Sequence, residues 1–155
     1  MNTAKLIGMQ NIYMTKAKTN RSFTSGIAII HSDCILLSKR IDRCPYSGKK
    51  IKFPGYWSIF AGSPNTGELP EECAIRELLE ESDIKISKKE IYKGFTVPYD
   101  SYDFHVFIHK SKKLLIPKLN FEHTAYGWFK LDHLDFFQSK IDKKLMSKIK
   151  SVVLK

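Results

Sequence analysis

Apolar positions in this chain change period several times, and each change marks an element. Ser22–Ile30 is rich in β-formers and ends in the unbroken apolar run Ile27–Ile30, which predicts a central strand. Cys34–Ser38 predicts a short second strand, with His31–Asp33 as the tight turn between them. Tyr56–Ala61 predicts a third. Ala74, Ile75, Leu78 and Leu79 then give a helix one apolar face. Pro70 suits the first helical position, and Glu71 and Glu72 suit the first turn. Leu69 is a poor cap, so the start is defined to within a residue or two. Ile91–Pro98 and Tyr102–His109 predict strands. The second alternates Tyr102, Phe104, Val106 and Ile108 against Asp103, His105, Phe107 and His109. Ala125–Lys130, around Trp128, predicts another strand. Ser139–Leu154 places Ile141, Leu145, Ile149 and Val152 at helical spacing. Strands and helices mix without regular alternation, which predicts an α/β sandwich with a mixed sheet rather than a doubly wound one.

Between these elements, Asp42–Gly55 holds Pro45, Gly48, Pro54 and Gly55 among basic and aromatic residues. That composition predicts a long loop, functional or mobile. No repeat or low-complexity block interrupts the chain. Its 155 residues suit a single domain spanning positions 1–155 with a substantial core. No apolar run is long enough to cross a membrane. Gln10 and Asn11 break the short apolar stretch of MNTAKLIGMQNIYMTK, and no small-x-small cleavage site follows, so a secretory signal is not expected and a cytoplasmic location is. The three cysteines, Cys34, Cys44 and Cys73, are odd in number and lack C-x-x-C spacing. They predict reduced structural thiols rather than a disulfide framework or a zinc ribbon.

The net charge of +10 favours anionic ligands. Nucleotides, RNA and acidic lipids all qualify, as does a solvated lysine-rich surface. Lys39, Arg40 and Arg43 beside the long loop are candidates to hold terminal phosphates. Tyr46, Phe53, Tyr56 and Tyr99 are candidates to stack on a base. His105 is the one histidine whose strand position invites a closer look.

The strongest chemical signal is GSPNTGELPEECAIRELLEESDI, Gly62 to Ile84. Its spacing is G-x5-E-x7-R-E-L-x-E-E-x-D-I, through Gly62, Glu68, Arg76, Glu77, Glu80 and Glu81. At average residue usage such a pattern arises by chance in a chain this long on the order of one time in a million, so it is read first as chemistry. On a helix Glu77, Glu80 and Glu81 lie at about 0°, 300° and 40°, on one face. Three like charges there raise one another's cost of ionisation, and a divalent cation relieves it. Magnesium suits an all-oxygen set shared with substrate phosphates, whereas zinc wants histidine or cysteine. A Glu68–Arg76 ion pair would tie the loop to the helix and aim Glu77.

This run resembles the Nudix box, G-x5-E-x7-R-E-U-x-E-E-x-G-U with U apolar, at every specified position but the last glycine, which is Asp83 here. Trp57 and the pair Ala61–Gly62 resemble the family's W-x-x-P-G-G approach to the box, with Phe60 in place of the proline. FEHTAYGWF, Phe121–Phe129, resembles the E-H-x-x-Y-x-W stretch of many Nudix enzymes, dihydroneopterin triphosphate pyrophosphatases among them. Together the matches span roughly residues 22 to 135. The resemblance implies an α/β/α sandwich and a divalent-metal-dependent hydrolase that splits a diphosphate linkage in nucleoside diphosphate derivatives.

By the same resemblance, Glu80 and Glu81 are core metal ligands, and Glu77 is a ligand or the base that prepares the attacking water. The Ala61 carbonyl completes the shell, and Arg76 with Glu68 positions Glu77. Glu122 is a further ligand or the general base. Magnesium is the expected cofactor, with manganese as its substitute. Asp83 is expected to end the helix in the left-handed conformation of the family glycine, which Asp tolerates better than most residues. The substrate set is Lys39, Arg40, Arg43, Tyr46 and Phe53. A small nucleotide, a nucleoside or pterin triphosphate first, is the expected substrate. Removal of pyrophosphate or a cap from RNA 5′ ends and a non-catalytic nucleotide-binding regulator are the alternatives. No membrane partner is expected, and the oligomeric state stays open, a homodimer included.

Overall fold

A computed structural model describes residues 21–155; the reading of the N-terminal segment falls outside them. The chain runs β1 (Phe23–His31), β2 (Cys34–Arg40), β3 (Trp57–Ser58), β4 (Phe60–Gly62), α1 (Pro70–Ser82), β5 (Tyr92–Pro98), β6 (Asp103–Lys110), β7 (His123–Lys130) and α2 (Lys143–Val153). Short 3-10 helices at Lys88–Glu90 and Leu131–Phe136 follow α1 and β7. All seven strands belong to one mixed sheet.

The sheet opens in the middle, and that opening makes the site. β1 and β2 pair only at the hairpin, through Ile30 with Ile35 and His31 with Cys34. β1 then runs parallel to β6 on its outer side, and β2 antiparallel to β7 on its own. The wedge between β1 and β2 is filled by β3 against β2 and β4 against β1. The single strand expected over Tyr56–Ala61 is therefore two: the backbone crosses from one wall of the wedge to the other at buried Ile59. Gly26 makes the β1–β4 approach possible, since a Cβ there would lie 2.6 Å from both Ala61 Cβ and the Phe60 carbonyl.

The run Ile27–Ile30 is buried throughout because both faces of the sheet are covered. Ile27, Ile29, Leu36 and Phe60 pack under α1 with Ala74 and Leu78. Ala28, Ile30, Ile35 and Leu37 face the other way, toward Leu145, Met146 and Ile149 of α2. The result is the expected α/β/α sandwich. Helix α2 starts later than its apolar spacing suggests, because Asp142 caps it: its carboxylate accepts the Leu145 N–H at 3.0 Å. Ile141 still packs in the core, but as part of the approach to the helix.

Helix α1 begins at Pro70 with a borrowed cap. Leu69 offers no side-chain oxygen, and the Glu72 carboxylate accepts the Leu69 N–H at 3.1 Å. Ser25 of β1 donates to the Pro70 carbonyl at 2.6 Å and fixes the first turn on the sheet. At the other end Asp83 adopts φ 57°, ψ 20°, and its N–H reaches the Leu79 carbonyl, the left-handed ending expected of it. The buried face of α1 is Cys73, Ala74, Leu78, Glu81 and Ser82. Leu79 is turned outward, so the helix buries a carboxylate where its apolar pattern offered a leucine.

Candidate metal centre

Arg76 is the hub from which the acidic residues are placed. Its guanidinium donates to both oxygens of Glu68 at 2.8 Å, to Glu77 at 2.9 Å, to Glu80 at 3.1 Å and to the Ser63 carbonyl at 3.0 Å. One rigid fork on α1 thus ties Glu68 and Ser63 of the preceding loop to Glu77 and Glu80 of the helix. Glu68 also accepts the Asn65 N–H at 3.0 Å. The Arg76 guanidinium holds the Glu68 carboxyl down to about 2.

Gly62 is needed for space, not for backbone freedom. A Cβ there would sit 2.2 Å from the Glu77 carboxyl carbon and 2.4 Å from both its oxygens. Gly62→Ala is expected to push Glu77 aside. The cost should be about 1–3 kcal/mol of stability and roughly 10²-fold in turnover, the scale of an ångström's misplacement. Thermal melting and the initial rate at saturating magnesium check both.

Glu77, Glu80 and Glu81 share the helix but not an environment. Glu80 stands at the rim with its side chain 55% exposed, turned to Arg76. Glu77 is mostly covered, and burial, with the nearby Glu81 charge adding, pushes its carboxyl up to about 7 against the pull of Arg76. Glu81 is 1% exposed. Burial first, then the Glu122 charge, pushes it up to about 8. One Glu81 oxygen, Oε2, contacts His123 Nε2, and the other, Oε1, is a buried polar atom without a partner. Ligand atoms of Glu81, Glu122 and His123 lie within 4.8 Å of one another. An orphaned oxygen on a buried carboxylate clustered with Glu122 fits a hard divalent cation.

The elevated carboxyls fix a sign for pH dependence. A carboxyl raised in the folded state contributes stability that is full below about 4.5 and lost as pH rises through 7 to 8. The metal-free protein should melt lower at pH 9 than at pH 6. Magnesium should raise the melting temperature more at pH 9, where the carboxylates need no deprotonation. Thermal melts at both pH values, with chelator and with excess magnesium, measure the difference.

His123 and Ser38 belong to the centre, though no ligand spacing flags them in the sequence. Burial, with the Arg40 charge adding, lowers His123 to about 4, so the imidazole is neutral. The sequence signals for it are its adjacency to Glu122 and its place as the H of the E-H-x-x-Y-x-W stretch. His105 is engaged elsewhere, with Thr96 at 2.9 Å and edge-on to Phe23. The three cysteines are free thiols.

Beside the centre a cleft of about 1070 Å³ runs from Ala61, Gly62 and Ser63 out to α2. Arg40 and Phe53 line it, and Lys52, Tyr56, Tyr99, Tyr102 and Asp142 join them. Tyr99 and Tyr102 are stacked, 4.9 Å between centroids, and the Tyr99 hydroxyl donates to Asp142 at 2.5 Å. Lys39, Arg43 and Tyr46 are not among the lining residues. Arg43 donates to the Gly48 carbonyl within its own loop at 3.3 Å. Tyr46 is 81% exposed and leans edge-on against Phe121.

An acidic helix packed on one face of the split sheet thus stands beside a cleft, the setting of a phosphate-handling hydrolase site. The NUDIX domain family matches residues 22–149, and the chain belongs to the Nudix family. Within it the protein is a pyrophosphohydrolase acting on nucleoside diphosphate derivatives. No curated relative matches the chain. A MutT Nudix hydrolase from Burkholderia pseudomallei shares the fold at a TM-score of 0.65 and 22% identity, over 86% of this chain and 98% of that one. The NUDIX domain of Shewanella oneidensis NrtR, solved with ADP ribose, matches at 0.65 and 16% identity over 97% and 98%. A C. elegans Ap4A hydrolase in a binary complex matches at 0.57 and 18% identity over 83% and 93%. Among the described residues no helix is long and apolar enough to cross a membrane.

Proposed function

We propose that the protein uses magnesium, or manganese in its place, to hydrolyse a diphosphate linkage in a small nucleotide, a nucleoside or pterin triphosphate first. The observation that carries this reading is the buried, unpartnered Oε1 of Glu81, a side chain clustered with Glu122 and His123, beside the cleft that Ala61 and Gly62 line. Bound there, the cation would neutralise phosphate charge and lower the pKa of water. Glu81, Glu122, Glu77 and the Ala61 carbonyl would hold it. Glu80 would join them by leaving Arg76. Arg76 and Glu68 keep Glu77 aimed, and either Glu77 or Glu122 takes the proton of the attacking water. In the cleft, Arg40 and Lys52 would steady the phosphates, while Phe53, Tyr56 and the Tyr99–Tyr102 stack offer aromatic faces to the base. A cytoplasmic location goes with a soluble substrate of this kind.

The test is a hydrolysis panel with magnesium: nucleoside and pterin triphosphates, dinucleoside polyphosphates, nucleotide sugars and capped RNA. Small triphosphates should turn over fastest. If capped or triphosphorylated RNA wins instead, its KM should climb steeply with salt, because RNA contact releases many counterions and a mononucleotide few. No turnover of any small nucleotide would overturn the reading.

A further inference from the structure

The mechanism above leaves His123 without a task, although it is a buried histidine in contact with the most buried carboxylate of the centre. We propose that His123, oriented by Ser38, is a positioning residue that assigns the two oxygens of Glu81, Oε2 to the imidazole and Oε1 to the cation. The inference rests on the metal reading of the site.

Three observations support it. Both ring nitrogens are engaged, Nδ1 with Ser38 Oγ at 3.0 Å and Nε2 with Glu81 Oε2. A ring so occupied acts as a support rather than a ligand, although its nitrogen lies among the candidate ligand atoms. With the cation bound, Glu81 is ionised and can only accept, so Nε2 then carries the proton and the Ser38 hydroxyl donates to Nδ1. Ser38 is itself 1% exposed, and its hydroxyl is engaged with the His123 ring. With Oε2 held, Oε1 remains the carboxylate's free acceptor.

The strand pairing is built to deliver this contact. Along β2 and β7, Leu36 faces Trp128 and Ser38 faces Tyr126, all on the α1 side of the sheet. Regular alternation would put Thr124 next on that side and turn His123 to the opposite face. The ladder instead slips by one residue, so that Arg40 pairs with His123 and not with Thr124. That bulge swings His123 onto the face shared by Ser38 and α1. Carboxylates that hold metals are themselves held by hydrogen bonds, and losing such a support weakens metal affinity roughly 10- to 100-fold.

The experiment is Mn2+ binding by isothermal titration calorimetry without nucleotide, alongside metal-free melting temperatures. The proteins are the unmodified one, Ser38→Ala, His123→Gln, His123→Leu and, as a control, Glu81→Gln. His123→Leu should weaken Mn2+ binding roughly 10- to 100-fold, and His123→Gln, which can still donate to Glu81, less. Ser38→Ala should weaken it several-fold, and it decides the matter if the His123 variants do not fold. Should Ser38→Ala and a folded His123→Leu bind Mn2+ within about twofold of the unmodified protein, the proposal is overturned, whatever happens to the melting temperature. It is overturned too if Glu81→Gln binds Mn2+ normally, because the metal reading then fails with it. Loss of Mn2+ affinity in the variants, with no nucleotide hydrolysed by the unmodified protein, would support the positioning role and reject only the proposed activity.

Discussion

Replacing Glu81 with glutamine is expected to lower turnover by about 10³-fold or more, some 4 kcal/mol of transition-state stabilisation, and to leave the fold intact. The two halves of that expectation share a cause. Glu81 is buried, one of its oxygens has no partner, and its carboxyl is raised to about 8 by burial. In the metal-free protein its ionised form is a liability to folding. Glutamine resembles the neutral carboxyl in size and removes that liability. The metal-free variant should therefore match the parent's melting temperature at pH 6 and equal or exceed it at pH 9. What disappears is the response to the cation: the rise in melting temperature with magnesium and the turnover should both go. Melts with and without magnesium, beside the initial rate, separate this outcome from simple unfolding, in which stability and rate fall together.

Arg76→Lys is expected to cost both stability and rate, despite conserving charge. The guanidinium reaches Glu68 with two bonds and Glu77, Glu80 and Ser63 with one each. A lysine ammonium is a single point charge and cannot span that set. Glu80 is largely exposed, so its pair adds little. The partly covered bonds to Glu68 and Glu77 matter more, and their loss should destabilise by about 1–3 kcal/mol. With Glu77 no longer aimed, turnover should fall roughly 10²-fold. The stability loss should depend on pH in a definite direction. Glu68 is held down to about 2, so the pair's contribution is complete above about 4.5 and fades as pH falls toward 2. The gap between variant and parent should be widest near neutral pH and narrow in acid. A constant gap would mean that Arg76 acts through packing alone.

What the sequence reveals about this site depends on how local each contact is. The run Gly62–Ile84 is legible because Glu68, Arg76, Glu77 and Glu80 meet within one loop and one helix, where residue spacing fixes geometry. The clash that Gly62 avoids is local too. The differing exposure of Glu77, Glu80 and Glu81 is less legible, because it depends on how α1 is rotated on the sheet. His123 lies further out of reach. Its partners Glu81 and Ser38 are 42 and 85 residues away, and a one-residue slip between β2 and β7 selects the face it occupies. No periodicity in the chain encodes that slip.

The same division holds for the fold. The strands β1, β2, β5 and β6 follow from apolar pattern within a residue or two. The break between β3 and β4 does not, because it exists only where β1 and β2 diverge. The start of α2 was readable from Asp142 as a cap, a stronger signal than the apolar spacing that extends the helix back to Ser139. In the substrate set, Arg40 reaches the cleft and Lys39 does not, because neighbours on β2 point to opposite faces. Phe53 reaches it while Arg43 and Tyr46 do not, because direction out of a long loop is set by its closure and not by its composition.

The most direct measurement is the phosphate chemistry of the unmodified protein with a nucleoside triphosphate, in magnesium and in excess chelator, with products resolved by phosphorus NMR. The expected result is monophosphate and pyrophosphate with magnesium, and no product with chelator. Hydrolysis that persists in chelator would contradict a metal-dependent platform built on Glu77, Glu81 and Glu122, and an intact triphosphate in magnesium would contradict the nucleoside triphosphate as its substrate.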